Sequence, residues 1–410
     1  AVQLAFPVPP AFALPIEVDP SNPMTNVPTL DKAQNGVDIV NIANPTPAGV
    51  SANKFRDYNV PASGVIMNNS LAIARSQLGG AINANQQLVD GKSADLVLFQ
   101  VTGVGDTQLR GYSEMHGASA DFILANPNGI SINGGGFIGT PKVTLTTGTP
   151  GFDANGNIGD FTVHHGEVRI EGAGFNASNI DYVSVWSRSM ALHGDIYGKN
   201  TNIVLGKNQI NYASRGIAPL ADDGSGKPSF SLDGSQVGSM YVDTIKLIST
   251  EDGVGVRSLA DIAAQSGHLE IQSNGKLVYT NIYAKTDADL SAKGSVEQLG
   301  ASHVENNLSI QSDSGISLKG KSVKAGKNIS IQSKGGIALE KTEAVGDGIA
   351  YLNGETAEIK TGQHLSLQNA DSKLTDTFAL DASGKLVIQE SRLEATAYTA
   401  KASDIESNAS

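Results

Sequence analysis

The chain has no cysteine. That excludes disulfides, iron–sulfur clusters, thiolate zinc sites and a cysteine nucleophile together. No apolar run reaches the roughly 18 residues of a membrane-spanning helix. Aromatic residues are only 5% and charged residues 17%. The balance of 29 basic against 41 acidic residues leaves −12, with no basic stripe of the kind a nucleic-acid binder needs. Helix signals are equally thin: apolar residues rarely recur at i, i+3, i+4, i+7 behind a cap. The best candidate is Asn69–Ala84 (NSLAIARSQLGGAINA), interrupted by Gly79-Gly80. The first residue is Ala1, with no basic and apolar leader before it. The expectation is a mature or trimmed product.

What the chain does have is glycine, 46 of 410 residues, which suits short strands and tight turns. Short β-rich runs stand between turn residues: Val97–Val101, Asp121–Ala125, Lys142–Thr146, Glu167–Ile170. The composition is uneven. Nine of 15 prolines precede residue 48, ten of 11 phenylalanines fall at or before Phe230, and all five methionines at or before Met240. A varied, aromatic first part thus gives way near 245–260 to a plainer one of Leu, Ile, Val, Ala, Ser, Gly and Lys. No linker separates them, so one continuous scaffold is expected.

The plainer part repeats. Leu269-Glu270-Ile271-Gln272-Ser273, Leu308-Ser309-Ile310-Gln311-Ser312, Ile329-Ser330-Ile331-Gln332-Ser333 and Leu365-Ser366-Leu367-Gln368-Asn369 align, with Leu386–Glu390 as a fifth copy and Leu290–Lys293 as a degenerate one. Their starts step by about 20 residues, except between 329 and 365, where a blurred copy at Ile349–Leu352 is expected. The alternation puts Leu and Ile on one side and Ser and Gln on the other. A second short strand often follows, as at Leu277-Val278, Ile316–Leu318 and Ile337–Leu339. Two or three strands per ~20 residues make one triangular coil, and stacked coils make a parallel β-helix. The leucine-rich-repeat frame is missing. The outward Gln272, Gln311, Gln332, Gln368 and Gln389 read either as an amide ladder or as solvated strand residues. At ~4.8 Å per coil the rod from residue 35 onward is expected to be roughly 80–90 Å long. Apolar Val2, Leu4, Phe6, Phe12 and Leu14 are expected to cap its open end, with prolines blocking further pairing.

Other motifs read plainly. Asn126-Pro127-Asn128-Gly129 is a turn: Pro presets φ at the second position, and Asn and Gly tolerate positive φ. Asp153-Ala154-Asn155-Gly156-Asn157 lacks the glycine and glutamate of a calcium loop. It is expected to be a hairpin tip with Asn155-Gly156 as a primed turn, joining Gly151-Phe152 to Phe161–Val163. His164-His165 point to opposite strand faces and make a poor metal pair. Trp186 is expected to pack under a hairpin. A polysaccharide lyase on this scaffold would need clustered carboxylates and a base, and no cluster recurs at coil spacing. Direct glycan binding would need aromatic patches, and aromatics are scarce after residue 241.

Three stretches together resemble a known family. The first is Asn35–Pro45 with Gly49–Phe55, Tyr58-Asn59-Val60 and Asn68-Asn69-Ser70. The second is Ala125–Ile130, continuing through Gly136-Phe137-Ile138 to Val143–Gly148. The third is Leu232-Asp233 through Gly238-Ser239-Met240-Tyr241 to Ile245–Val256. They resemble the secretion domain of two-partner secretion (TpsA) exoproteins, the filamentous haemagglutinins and contact-dependent growth inhibition (CdiA-like) proteins, followed by haemagglutinin repeats. The resemblance implies an all-β, right-handed parallel β-helix with an N-terminal cap and extra-helical hairpins. It implies a cap at 1–34, a secretion domain at 35–256 and ~20-residue repeats at 257–410. It implies export through the periplasm to the surface of a Gram-negative bacterium, nucleation of β-helix folding there, and a stalk.

The implied partner is a TpsB outer-membrane barrel with periplasmic POTRA domains. A neighbouring-cell or host receptor would bind regions mostly outside this stretch, and a growth-inhibition toxin would lie at the far C-terminus. The adhesin type is the alternative. Secretion-motif residues carried over are Asn68, Asn69, Ser70, Asn126, Pro127, Asn128 and Gly129. No catalytic residue, cofactor, metal, nucleic acid or small-molecule substrate is implied, and the chain is expected to be a monomer and not an enzyme. Two departures stand out. Ile132 and Gly135 replace the cysteine pair of many growth-inhibition members, and Ser239 stands where a glycine is usual.

Overall fold

A computed structural model of the chain describes residues 16–21, 27–342 and 350–408. Among these there is no α-helix. Short strands run around three faces of a right-handed parallel β-helix, each pairing in register with the strand one coil away. Asp38–Asn41, Val65–Asn69, Tyr112–Gly117 and Gly135–Ile138 start the first face. Val50–Asp57, Leu96–Val101, Asp121–Ala125 and Lys142–Thr146 start the second. Thr107–Leu109, Ile130–Ile132 and Glu167–Ile170 start the third. One continuous core runs inside, from Val40 to Leu386, so the compositional change near 245–260 is not a break in packing.

The first coil is closed by antiparallel strands. Glu17–Val18 pairs with Val50–Asp57, and Thr29–Lys32 pairs with Asp38–Asn41. Ile16 and Val18 pack on the core. Reversed strands occupy the edge that another coil would otherwise extend. The Thr102 hydroxyl and the Ser21 amide bond to Asp19 and hold its carboxyl down to about 2, fixing this segment to the coil. Val2, Leu4, Phe6, Phe12 and Leu14 lie outside the described residues.

The repeat is real, but its copies belong to different faces. Leu269, Leu308 and Ile329 do align on the second face, with Ala288 as the intervening copy. Leu290 therefore pairs with Ile271 and Ile310 rather than heading its strand. The next second-face strand is Thr356–Thr361, where Ile359 stacks between Ile331 and Leu380. Leu365–Gln368 and Lys385–Gln389 sit on the third face, above Ile337–Lys341. The expected blurred copy is a first-face strand: Leu352 pairs with Val323 and Ser372, and Ile349 lies outside the described residues. All three faces share the same alternation, so periodicity alone does not assign a face.

Three further expectations change. Asn69–Ala84 forms no helix. It contains a hairpin, Ala74–Ser76 with Gly80–Ile82, and Gly80 takes φ +76°. The buried Glu114 carboxylate accepts from Ser76 Oγ and from the Gln77 and Leu78 amides, which ties this hairpin to the coil. The turn at Asp153–Asn157 does join two antiparallel strands, Thr149–Phe152 and Ile158–Val163. Only Gly156 is left-handed there, at φ +78°; a type I′ turn needs positive φ at both central residues and a type II′ turn at the first, which Asn155 lacks. Asp153 accepts from the Asn155 and Asn157 amides and stabilises the wider loop instead. The rod is also shorter than expected. Thirteen steps separate Val50–Asp57 from Ala397–Lys401 on the second face, ~62 Å at strand spacing. The missing length went into excursions.

The largest excursion is a four-stranded antiparallel sheet, in which Asn208–Asn211 and Ile217–Pro219 join the hairpin. It covers the outer side of the second face. A second core of Leu98, Ile123, Phe161, Val163, Trp186 and Ile210 lies between them. Trp186 is buried under this sheet, 5.6 Å from the Phe161 ring, with the Arg215 guanidinium 5.1 Å from its own ring.

Candidate functional site

Both family-like asparagine motifs sit at coil corners, and both cross-link coils. Asn68 and Asn69 end the first-face strand Val65–Asn69. Asn68 Nδ2 donates to Asn41 Oδ1 (2.8 Å) and Asn83 O (3.0 Å), and its Oδ1 accepts from the Ser70 amide (3.2 Å). Asn69 Nδ2 donates to Ala94 O (2.9 Å) and Ala118 O (3.0 Å), and its Oδ1 accepts from Ala94 N (2.7 Å). Ser70 Oγ donates to Ala72 O (2.7 Å). All three side chains are buried. The amides thus satisfy backbone groups of irregular segments that have no ladder partner.

Asn126–Gly129 turns the chain from the second face to the third. The Gly129 amide donates to Asn126 O (3.1 Å), closing the turn, and Asn126 Oδ1 accepts from the Asn128 amide (3.0 Å). Asn126, fully buried, donates Nδ2 to Gly105 O and Thr107 Oγ1, both at 3.0 Å. Asn128 is exposed and donates to Gly103 O at 2.8 Å. The loop of residues 103–106 is thereby tied to the next coil. Arg169 adds a half-exposed bond to Asp106 at 2.6 Å. A side chain at Gly129, φ +132°, would meet Glu167 O at 3.0 Å. His165 Nδ1 lies 2.9 Å from Pro127 O; a carbonyl only accepts, so Nδ1 carries the proton.

The two motifs do not form one patch. They occupy different corners of the prism and act as separate ties. Asn53 and Asn85 do the same work and were not singled out from the sequence. Asn53 spans Ala43 N, Ser51 and Leu98 O; Asn85 spans Ile42 O and Asn68 O. A signal existed for Asn53, a buried-type position inside the strand Val50–Phe55. None existed for Asn85, one residue past the expected helix Asn69–Ala84. His116, one residue beyond the partner of Met67, is buried with Nε2 unbonded. Burial pushes its pKa below the usual histidine value, and Glu114 only partly opposes that.

The missing cysteine pair has a structural counterpart. A Cβ on Gly135 would lie 3.2 Å from Ile132 Cγ2, so the two positions face each other and the isoleucine methyl fills the space. Ser239 keeps its amide on Asp195 Oδ1 (2.9 Å). Among the described residues no group of three His, Asp or Glu side chains is placed to hold a metal ion.

The TPS secretion domain family matches residues 16–279. The chain is 36% identical over 345 residues to the 16S rRNA endonuclease CdiA of Enterobacter cloacae, covering 82% of this chain and 10% of that protein. It is 39% identical over 253 residues to the tRNA nuclease CdiA-2 of Burkholderia pseudomallei, covering 62% and 8%. The crystal structure of the filamentous hemagglutinin secretion domain aligns with a TM-score of 0.60 at 30% identity, covering 72% of this chain and 96% of that one. The chain thus spans about a tenth of the length of these curated relatives.

Proposed function

The chain belongs to the TPS secretion domain family, and from that premise we propose that it targets a large exoprotein for export and nucleates its folding as a β-helix. Proteins of this family reach the surface of Gram-negative bacteria by two-partner secretion. The partner we propose is a TpsB barrel, engaged through its periplasmic POTRA domains while the chain is extended. Residues 35–256 are read as the secretion domain, 1–34 as its cap and 257–410 as the first stalk repeats, in a monomeric rod. The whole protein is read as a contact-dependent growth inhibition effector, because its curated relatives carry nuclease and toxin names. Their nuclease activity belongs to proteins of which this chain matches a tenth, and it is not assigned to this stretch. A neighbouring-cell receptor would bind beyond it. The adhesin reading rests on the likeness to the filamentous hemagglutinin secretion domain.

The observation that carries this reading is that the family match covers the region holding the asparagine ties. Asn68, Asn69, Ser70 and Asn126 are buried in the folded rod. A transporter can read those side chains only before folding; after it, they lock corners. Pro127 and Asn128 alone keep appreciable exposure.

The test is release to the medium from cells co-expressing the barrel partner. Release should require the barrel, and Asn126→Ala with Asn128→Ala should lower it. Ile310→Ala, in the repeat ladder, should leave barrel engagement intact. Equal release of the double variant would remove the export role of this turn and leave only its corner-forming one.

A further inference from the structure

The outer surface of the first face carries a row of rings that the export reading does not use. In-register pairing places Tyr197 beside Tyr241, Tyr241 beside Ala263, Ala263 beside Tyr283, and Tyr283 beside His303. The rings of Tyr197 and Tyr241 stack, with centroids 5.7 Å and planes 22° apart. Tyr283 meets His303 edge-on at 5.6 Å. The row lacks one ring, at Ala263. Two strand spacings, ~9.6 Å, therefore separate the rungs of Tyr241 and Tyr283. A hollow of about 610 Å³ opens there, lined by Tyr241, Asp261, Ala263, Asn281, Tyr283 and His303 among others.

Polar groups stand beside this gap. Asp261 accepts from the Tyr241 hydroxyl (3.3 Å) and from Asn281 Nδ2 (2.9 Å), and Asn281 Oδ1 accepts from Ala301 N (3.0 Å). A carboxylate offers about four acceptor positions and an amide nitrogen two donors. Asp261 and Asn281 thus keep capacity for an incoming hydroxyl group. Aromatic walls with a few fixed polar groups are the usual make-up of a ligand site.

We propose that the gap at Ala263 binds a neutral saccharide, with one pyranose ring between Tyr241 and Tyr283 and its hydroxyls on Asp261 and Asn281. The C–H faces of a pyranose carry partial positive charge and suit the negative faces of tyrosine rings. A purely apolar guest would strip water from Asp261 and Asn281 without replacing its hydrogen bonds. An anionic sugar is opposed by Asp261 in the gap, by Asp195 beside Tyr197, and by a chain of net charge −12. An aromatic side chain of a partner protein would use the rings and leave both polar groups idle.

The experiment uses the full chain with lactose, cellobiose, maltotriose and chitotriose in saturation-transfer NMR and calorimetry. Heparin and a tryptophan-containing peptide serve as the contrasting ligands. At least one neutral sugar should bind with Kd of ~1 mM or tighter. Tyr283→Ala should weaken it roughly tenfold, the scale of a lost ring contact. Ala263→Tyr should abolish binding by completing the ring row, with melting unchanged or raised. If circular dichroism shows Ala263→Tyr misfolded, Tyr283→Ala decides. No binding by any of the four sugars overturns the proposal. So does binding that survives the filled gap, or binding of heparin or peptide alone. Secretion of Ala263→Tyr should equal that of the unmodified chain, so the saccharide and export readings fail separately.

Discussion

The two halves of the rod bury similar parallel strands in different ways. Before about residue 240 the strands are often covered on both sides: Val65–Asn69 is buried at all five positions, and Leu96–Val101 at five of six. After it they alternate, as in Leu308–Ser312, with only the inward side chains and the corner serine buried. The first half fills its interior with rings, Phe55, Phe99, Phe122, Phe137 and Phe175, each near the next. The second half mostly stacks Leu on Ala and Ile on Leu, with Tyr279, Tyr351 and Phe378 as scattered buried rings. Two-sided burial brings irregular loops under cover, where their backbone groups need partners. The asparagine ties supply them. A bare coil leaves its outer side to water and uses few such ties; the buried Gln298 amide, which reaches Gly300 O, Lys319 O and Ser322 O, is one.

Trp186→Ala is the sharpest way to break this contrast. It should cost about 3–5 kcal/mol and free the covering sheet from the second face, read as lost hydrogen-exchange protection over 149–163 and 208–219. Unchanged protection there would mean that the sheet is held by its own strands. Next is Ile331→Ala, a buried rung of the repeat half, expected to cost about 2–5 kcal/mol. Nearest-neighbour stacking confines that damage to adjacent coils. Loss of protection as far away as residue 100 would show one cooperative unit rather than two regimes.

Asn69→Ala should cost about 1–3 kcal/mol in urea denaturation, because it orphans the buried Ala94 amide and carbonyl. Gln311→Ala, exposed on the repeat half, should stay within about 0.5 kcal/mol. Equal losses at the two sites would erase the distinction between tie and surface residue.

The smallest effect is on pH dependence. The folded pKa of His116 is depressed, so its contribution is present above the ordinary histidine value of about 6.5 and fades as pH falls below it, when the unfolded chain takes up the proton. His116→Gln should flatten the stability profile between about pH 6.5 and 5. Asp19 acts in a lower window, supporting the fold above about 4 and losing effect as pH falls toward 2. An unchanged profile in the histidine variant would mean that Nε2 finds a proton acceptor when charged.

Much of the fold was legible because the β-helix is local in sequence: Ile310 meets Ile331, 21 residues on. The hairpin at Asp153–Asn157 and the burial of Trp186 followed from turn chemistry and ring size. The candidate helix at Asn69–Ala84 misled because its apolar residues serve two surfaces, Ile82 under the hairpin and Ile73 in solvent. Of the site, the Asn126–Gly129 turn was readable from Pro and Gly. The targets of the asparagine amides were not, since Asn69 reaches Ala94 and Ala118 across different coils.

Alternation, glycine-rich turns and a period near 20 determined an all-β coil and its inward residues, because side-chain direction along a strand is set every two residues. Only the tertiary structure decided which face each copy occupies. Leu365 and Leu386 match the second-face pattern and yet lie on the third, since identical alternation on three faces is resolved only by backbone pairing one coil away. The same pairing aligned Tyr241, Ala263 and Tyr283 into a row with a gap. These rungs stand 22 and 20 residues apart, near the repeat period, but a period shared by all three faces does not say which side chains lie together on one outer surface.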